Sequence, residues 1–272
     1  MKLIAIGDNV TDCYIKQRIY YPGGNALNVA VNCKKNGVES VNYIGIFGND
    51  DRADYIKQCL EEEGVTYCRS RKVYAPTGQP GVILENGDRK FVPGKRDTCQ
   101  HLFSIKLVKE DLEFIKNYDL CITSCYSNLE YELETLSKVC RIAFDFSEKL
   151  SEDYLQRTCP YLTYAFFSGE SRSEDECKAL LLQMHSLGTR IVGATRGMLG
   201  QLFYDGETFY HGKAKEIEAI DTMGAGDSFI AGFLTAHSHY GLSIPEALSY
   251  AAERAAQTCL VNGSFGHGHP MD

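Results

Sequence analysis

Short apolar segments alternate along this chain with segments of helical periodicity, and this alternation constrains the fold more than any other feature of the sequence. The apolar segments have the length of buried strands, and a glycine often closes the helical ones, which is a common helix end. A regular succession of strand and helix is typical of an α/β fold with a doubly wound, mostly parallel sheet and helices on both faces. We predict strands at 3–6, 42–47, 120–124, 141–146, 162–167 and 190–195, and helices at 25–36, 50–63, 129–140, 173–187 and 252–261.

Two segments interrupt the alternation. Residues 13–21 alternate apolar and polar side chains like an exposed strand, and 81–92 is typical of a hairpin with Asn86-Gly87 as its two-residue turn. No linker, repeat or low-complexity tract separates these segments from the rest of the chain. We therefore predict a single domain over 1–272.

The composition favours one large domain and argues against several kinds of partner. A chain of 272 residues with 44% hydrophobic content can bury about three quarters of its unfolded surface. Its formal charge is −8, from 28 basic and 36 acidic residues without a basic run, which argues against a nucleic-acid partner. No segment approaches the roughly 20 apolar residues of a membrane span, so we expect no membrane partner either.

Two observations lead us to expect a cytoplasmic protein. The first residues, 1–7, enter a strand too early for a signal peptide. The 11 cysteines are scattered without a C-x-x-C pair, which suggests neither a disulfide framework nor a zinc site. Reduced thiols, several of them in the core, are the simplest interpretation.

The stretch 221–232 carries the strongest functional signal. Gly224, Ala225 and Gly226 have almost no side chain and lead into a helix, so their N–H groups can bind an anion with help from the helix dipole. Asp227 follows directly, although a carboxylate repels an anion. A general base for a hydroxyl that attacks a phosphoryl group would explain it, and near a helix N-terminus we expect it to be ionised at neutral pH. A turn followed by a helix cap is the alternative interpretation.

A second small-residue motif, Gly-Gly-Asn-Ala-x-Asn over 23–28, opens the helix predicted at 25–36. Its glycines permit close backbone approach, and the Asn28 amide offers both a donor and an acceptor to a hydroxyl group. Taken alone, an ordinary loop with exposed amides explains this motif equally well.

Together the two motifs resemble the N- and C-terminal signatures of the PfkB (ribokinase-like) family of sugar and nucleoside kinases, in order and roughly two hundred residues apart. The resemblance implies a ribokinase-like fold in which strands near 13–21 and 79–93 form a small β-lid over the sugar. It also implies catalytic residues and sugar contacts. The catalytic residues are Asp227, Gly224, Ala225 and Gly226, and the sugar contacts include Gly24, Asn25 and Asn28.

Asp8 and Asp12 are two further candidates for the sugar site. Their spacing, Gly-Asp-x-x-x-Asp, suits vicinal hydroxyls because a carboxylate accepts two hydrogen bonds at once. The family has a sugar-binding aspartate here, and a polar loop cap is the alternative.

The nucleotide and the metal are expected near two other strand ends. Thr195, Gly197 and Gly200 resemble the family's Thr-x-Gly-x-x-Gly segment, where the phosphates of ATP bind. The family's Asn-x-x-Glu motif, which organises Mg²⁺ through water, is replaced here by Ser-Gly-Glu-Ser at 168–171. Either Glu170 supplies the missing carboxylate from a shifted position, or the phosphates hold the metal. The cofactors implied are ATP and Mg²⁺, with a monovalent cation such as K⁺.

The resemblance implies an ATP-dependent sugar kinase. In the segments 6–9, 23–26, 143–147 and 221–234, and over nearly the whole chain, the sequence resembles family members that phosphorylate the 6-hydroxyl of a fructosamine such as fructoselysine. Arg89, Lys90 and Arg96, in the lid and its rim, would then hold the amino-acid part. Two alternatives stay open: a ribokinase- or fructokinase-type enzyme for a plain sugar, and a non-catalytic sugar-binding regulator, which the complete loop with Asp227 disfavours.

The predicted lid also leads us to expect a homodimer. A small sheet that projects from the main one has no core of its own for its apolar face. A second copy of the lid would cover that face.

Overall fold

Strands alternate with helices in the computed structural model of the protein, which describes residues 1–85, 87–92 and 94–271. In chain order the strands are β1 (Lys2–Gly7), β2 (Val10–Tyr14), β3 (Ile19–Gly23), β4 (Ser40–Phe47), β5 (Arg71–Lys72), β6 (Gly81–Glu85), β7 (Asp88–Val92), β8 (Leu120–Ser124), β9 (Arg141–Asp145), β10 (Tyr164–Ser168), β11 (Ile191–Thr195), β12 (Gln201–Tyr204), β13 (Phe209–Gly212) and β14 (His269–Pro270). The α-helices are α1 (Asn25–Lys35), α2 (Asp51–Glu62), α3 (Cys99–Leu102), α4 (Lys109–Ile115), α5 (Leu133–Ser137), α6 (Glu152–Thr158), α7 (Glu174–Ser186), α8 (Ala225–Leu234) and α9 (Ile244–Thr258).

Among the described residues, the larger sheet has the strand order β13-β12-β11-β10-β9-β8-β1-β4-β5. Neighbours from β11 to β5 pair in parallel, whereas β12 and β13 are antiparallel. The predicted mostly parallel sheet is confirmed. The two antiparallel strands were not predicted: a tight turn after β11 sends the chain directly back along its own edge, which needs no crossover helix.

Both faces of this sheet are buried, as its parallel strands require. Along β1, Leu3 and Ala5 pack on the face that α1, α2, α8 and α9 cover. Ile4 and Ile6 point to the opposite face, which α4, α5, α6 and α7 cover. The predicted placement of helices on both faces is therefore confirmed, and the carboxyl ends of the parallel strands share one edge of the sheet.

The smaller sheet, which we call the lid, has the order β14-β3-β2-β6-β7 within the described part of the chain. The single strand predicted over 13–21 is wrong, because β2 and β3 form an antiparallel hairpin whose turn includes Arg18 at a φ of 53°. Polar residues of the turn continue the alternation of the flanking strands, so the sequence pattern did not reveal the reversal. The C-terminal strand β14, which extends the sheet beyond β3, was also not predicted.

The predicted hairpin over 81–92 is confirmed by the antiparallel pairing of β6 with β7, from Gly81 opposite Val92 to Glu85 opposite Asp88. The first residue of its predicted turn, Asn86, lies outside the described residues. Strands at both predicted places thus form one sheet.

Two helix predictions need correction. The helix predicted at 129–140 is only a 3₁₀ turn, Glu130–Glu132, followed by the short α5, because the chain must turn before β9 begins at Arg141. The helix predicted at 252–261 begins earlier, as α9, after a capping box between Ser243 and Glu246.

Two features of the described residues bear on the expected class of protein: the helices and the cysteines. None of the helices formed by the described residues combines the length and apolar composition that crossing a membrane requires. All 11 cysteines lie in the described part of the chain as free thiols, and only Cys68 among them is exposed.

Candidate active site

Helices α1 and α8 begin beside each other at the carboxyl edge of the large sheet, and their first turns meet at Asp227. The Nδ2 of Asn28 donates to Oδ2 of Asp227 at 2.7 Å, and the Nδ2 of Asn25 donates to Oδ1 at 2.8 Å. The two sequence motifs therefore form one site, in which each oxygen of this carboxylate accepts a hydrogen bond from a different amide.

Asp227 is a stronger base than its position suggested. We expected the dipole of α8 to keep it ionised at neutral pH. Instead, burial raises the pKa of Asp227 to about 7, with the carboxylates of Asp145 and Asp8 adding to the effect. The hydrogen bond from Asn28 and the charge of Arg89 oppose the rise without cancelling it.

Asp145, at the end of β9, is a member of the site that the sequence analysis missed. Its Oδ2 accepts a hydrogen bond of 2.6 Å from the same Asn25 nitrogen that binds Asp227, and its Oδ1 accepts one of 2.8 Å from the backbone N–H of Ser147. Burial raises the pKa of Asp145 to about 6. Its place at the carboxyl end of a predicted strand was the signal that could have identified it.

Asp8 and Gly24 set the start of α1. The Asp8 carboxylate accepts hydrogen bonds from the backbone N–H groups of Asn25, at 2.9 Å, and Ala26, at 3.2 Å. Gly24 has a φ of 112°, and a Cβ there would lie 2.6 Å from the Asp8 carbonyl oxygen. The cap, which was the alternative for Asp8, is thus present, and both residues help to orient Asn25.

Asp12 lies on the lid strand β2 and not in the loop after β1. Only 4% of its surface is exposed, and within the described residues its carboxylate accepts no hydrogen bond. Burial and the carboxylate of Asp8 raise the pKa of Asp12 to about 7, against the charge of Arg89. A buried carboxylate with unused acceptor capacity suits a ligand that brings hydrogen-bond donors.

The loop before α8 is held by Asp221, which is fully buried. Its carboxylate accepts hydrogen bonds from Tyr14 of the lid at 2.5 Å, from the backbone N–H of Met223 at 2.9 Å and from that of Gly263 at 2.8 Å. This one side chain therefore joins the loop to the lid and to the segment after α9.

The three small residues of the loop differ in what they can offer an anion. The N–H of Ala225 donates within the loop to the Thr222 carbonyl at 3.2 Å. In the described part of the chain the N–H groups of Gly224 and Gly226 have no such partner, as is usual at a helix N-terminus. Two of the three predicted donors are therefore free for an anion, and Ala225 shapes the loop.

The hairpin of β6 and β7 touches this loop. Arg89 donates from Nη1 to the carbonyl oxygen of Thr222 at 3.0 Å, and the N–H of Thr222 donates to the Gly87 carbonyl at 3.0 Å. Lys90 pairs with Glu85 within the hairpin. Two of the three cations expected to hold an amino-acid part are thus engaged with protein groups.

The predicted nucleotide and metal residues form a second group at the ends of β10 and β11. Glu170 is exposed and lies beside Gly197. A Cβ added to Gly197 would be 2.5 Å from the Glu170 carboxylate. Gly200 has a φ of 86°, and a Cβ there would lie 2.2 Å from the Gly212 carbonyl oxygen, so the turn into β12 explains this glycine. Thr195 ends β11 and donates to the Phe167 carbonyl at 3.4 Å. Among the described residues no hydrogen bond joins this group to Asp227.

A metal site made by protein side chains alone is not evident. In the ranges that the structure describes, no cluster of three or more histidine, cysteine, aspartate or glutamate side chains could hold a metal ion. Glu170 could contribute only together with ligands from a bound molecule.

A doubly wound sheet, a β-lid and a carboxylate beside a glycine-rich helix N-terminus together define a phosphotransferase of the sugar-kinase type. The chain belongs to the pfkB family of carbohydrate kinases, whose model matches residues 1–266. It is 47% identical to fructosamine kinase FrlD of Bacillus subtilis (strain 168) over 99% of this chain and 95% of that protein. It is 34% identical to fructoselysine 6-kinase of Escherichia coli (strain K12) over 97% of this chain and all of that protein.

Solved structures agree on the fold. The ribokinase of Giardia lamblia superposes with a TM-score of 0.83 at 21% identity, covering 97% of this chain and 94% of that one. The family resemblance and the ribokinase-like fold are thereby confirmed, and the protein is a carbohydrate kinase of this family.

The loop glycines allow a direct test of which one is structural. Gly224 has a φ of 72°, and a Cβ there would lie 2.1 Å from the Ser264 hydroxyl, whereas a Cβ on Gly226 would meet nothing within 4 Å. We expect Gly224→Ala to lower the free energy of unfolding by about 2 kcal/mol or more, and Gly226→Ala to change it by less than about 1 kcal/mol. Urea denaturation of both variants measures the difference, and equal losses would contradict this assignment.

Proposed function

We propose that the protein transfers the γ-phosphoryl group of ATP to the 6-hydroxyl of a fructosamine such as fructoselysine. The observation that carries the proposal is full-length similarity to a fructosamine kinase and to a fructoselysine 6-kinase, at 47% and 34% identity. The geometry around Asp227 supports it, because this carboxylate can accept a proton and lies beside the free N–H groups of Gly224 and Gly226.

The sugar would bind between α1 and the lid. The Oδ1 atoms of Asn25 and Asn28 are buried and have no hydrogen-bond partner among the described residues. Unpaired buried acceptors are costly, and sugar hydroxyls are donors that would satisfy them. Asp12 would accept further hydroxyl hydrogens from the lid side, and Asp8 and Gly24 would act by placing α1.

The phosphates would bind over the N-terminus of α8. Free N–H groups of Gly224 and Gly226, together with the helix dipole, stabilise negative charge there. Thr195 and Gly197 would contact the rest of the nucleotide, and Gly200 would shape that turn. Mg²⁺ would supply charge neutralisation, held chiefly by the phosphates with Glu170 acting through water. A need for K⁺ belongs to the same proposal and can be tested by replacing K⁺ in the assay buffer.

Asp227 would remove the proton of the 6-hydroxyl while its oxygen attacks the γ-phosphorus in line. One O–H bond and the bond from the γ-phosphorus to the β,γ-bridging oxygen break, a new P–O bond forms, ADP leaves, and the proton stays on Asp227. Phosphoryl transfer depends mainly on positioning and charge stabilisation. Asn25 and Asn28 supply the positioning, since they hold both oxygens of the base.

We expect Asp227→Asn to lower kcat by at least ~10²-fold, the usual scale for loss of a general base. Binding of ATP and sugar, measured by calorimetry, should stay within a few-fold of the parent value. Asp51→Asn, an exposed acid in the first turn of α2, is the matched control and should keep full activity. Undiminished turnover in a folded Asp227→Asn protein would refute the role of this residue.

We expect kcat/KM for fructoselysine, or a close glycated amino acid, to exceed that for free fructose or ribose by at least tenfold. The amino-acid part carries charges, and one good charged hydrogen bond is worth roughly 1.5–3 kcal/mol. A tenfold preference requires only about 1.4 kcal/mol. Remote binding energy of this kind can be used to position the reacting hydroxyl.

A coupled ADP-release assay across these sugars measures that preference, and the position of the phosphate in the product identifies the hydroxyl. Equal kcat/KM for fructose and fructoselysine would point to a kinase of a plain sugar, the alternative left open by the sequence.

We also propose that two copies associate through their lids in the cytoplasm. Phe91 and Ile15, both on the lid, are 58% and 48% exposed, and a second lid would cover them. Light scattering at micromolar concentration should give the mass of a dimer for the parent protein. Phe91→Lys should shift it toward the monomer, and a monomeric parent would contradict lid pairing.

A further inference from the structure

We propose that Asp145 is a positioning residue for the base: it holds the Asn25 amide against Asp227 and places a second carboxylate beside it. This inference rests on the role of Asp227 proposed above. Neither of the two sequence motifs contains Asp145, and it lies more than eighty positions from Asp227 along the chain.

The bridge uses both hydrogens of one amide. The Asn25 nitrogen is 2.6 Å from Oδ2 of Asp145 and 2.8 Å from Oδ1 of Asp227. An ionised carboxylate only accepts hydrogen bonds, so two carboxylates force the amide nitrogen toward them. The amide oxygen must then face away, and it is buried without a partner in the described part of the chain, where a sugar hydroxyl could donate to it.

Asp145 is itself rigidly held. Only 8% of its surface is exposed, and its second oxygen accepts the hydrogen bond from the backbone N–H of Ser147 at 2.8 Å. One oxygen is thus fixed by the chain after β9 and the other by Asn25. Because both of its oxygens are held, Asp145 can fix the position of the Asn25 amide, and through that amide the orientation of Asp227, relative to β9.

Without Asp145, the Asn25 amide would have one carboxylate instead of two to orient it. Rotation by half a turn would place its oxygen toward Asp227 and its nitrogen in the sugar site. That arrangement brings two acceptors together at the base and replaces an acceptor for the sugar with a donor. Asp145 therefore selects the orientation in which both the base and the sugar contact are correct.

The charges around the pair come from several elements. Asp227 faces Asp145, Asp8 from the loop after β1, Arg89 from the lid and Tyr126 from the loop after β8. Asp145 faces Asp8, with Cys125 and Tyr126 also near it. Burial raises the pKa of both carboxyls, and the charge of Asp145 raises that of Asp227 further. Loss of this charge must therefore lower the pKa of Asp227.

The test compares Asp145→Asn with Asn25→Ala. Asp145→Asn removes the charge and one acceptor, so the pKa of Asp227 should fall by at least about half a unit, and kcat should fall at least about tenfold. Asn25→Ala keeps both carboxylates and removes the bridge, so the pKa of Asp227 should rise, because a donor to its charged form is lost. The two variants should move the acid limb of kcat/KM in opposite directions.

Two measurements give these values independently. The pH dependence of kcat/KM for the sugar reports the free enzyme, and in the parent protein its acid limb should lie near the pKa of about 7 of Asp227. Carbon-13 NMR of aspartate-labelled protein, with Asp227→Asn to identify the resonance, gives the same pKa without any turnover. Glu148→Gln, an exposed acid on the same loop, is the control and should leave both values unchanged.

Opposite shifts in the two variants, with slower turnover in both, support the proposal. An unmoved pKa of Asp227 in Asp145→Asn, or unchanged kcat, overturns it and leaves Asp145 as a structural residue. If Asp145→Asn does not fold, Asp145→Ser, which also removes the charge, takes its place in both measurements with the same supporting and contradicting results. A parent protein without sugar kinase activity that still shows these NMR shifts would refute the proposed function and not the bridge.

Discussion

The contact between the first turn of α1 and the carboxylate of Asp227 is the interaction on which the site depends. A partly buried carboxylate needs donors, and Asn25 and Asn28 supply one to each of its oxygens, from a helix roughly two hundred residues earlier in the chain. Those amides are in place because Asp8 caps α1 and Gly24 allows the chain to approach the end of β1 closely. The parallel sheet brings both helix N-termini to one edge, so the fold itself assembles the base.

A second buried carboxylate, Asp221, organises the approach to this base. It accepts hydrogen bonds from the hydroxyl of Tyr14 in the lid, from the backbone N–H of Met223 in the glycine loop and from that of Gly263 after α9. Arg89 and Gly87 add contacts from the tip of the lid hairpin to Thr222. Movement of the lid would therefore act directly on the loop that we propose binds phosphate, which suits an enzyme that must exclude water before transfer.

The sequence was sufficient for the elements that local patterns specify. Helix and strand periodicity predicted the parallel sheet, and the two motifs supplied Asn28 and Asp227 as site candidates, although not the hydrogen bond that joins them. It was insufficient where tertiary packing decides. Burial, which no local pattern reports, raises the pKa of Asp227 although this residue lies in the first turn of α8. Asp145 belongs to neither motif, and the sequence pattern identified it only as part of a strand. Strand β14 could not be predicted because its partner, β3, lies far away along the chain.

The site contains an electrostatic conflict that explains its architecture. Burial raises the pKa values of Asp8, Asp12, Asp145 and Asp227, and the opposing charge of Arg89 only partly offsets the rise at Asp12 and Asp227. Such a region repels phosphate, yet a base must lie next to the phosphoryl group it serves. In the proposed function, free N–H groups at the start of α8 would offset part of this repulsion, and Mg²⁺ would offset more of it. The amides of Asn25 and Asn28 hold the Asp227 carboxylate in one orientation. A substrate with an ammonium group would relieve the remaining excess of negative charge, and fructose would not, so the same conflict favours a fructosamine over the plain sugar.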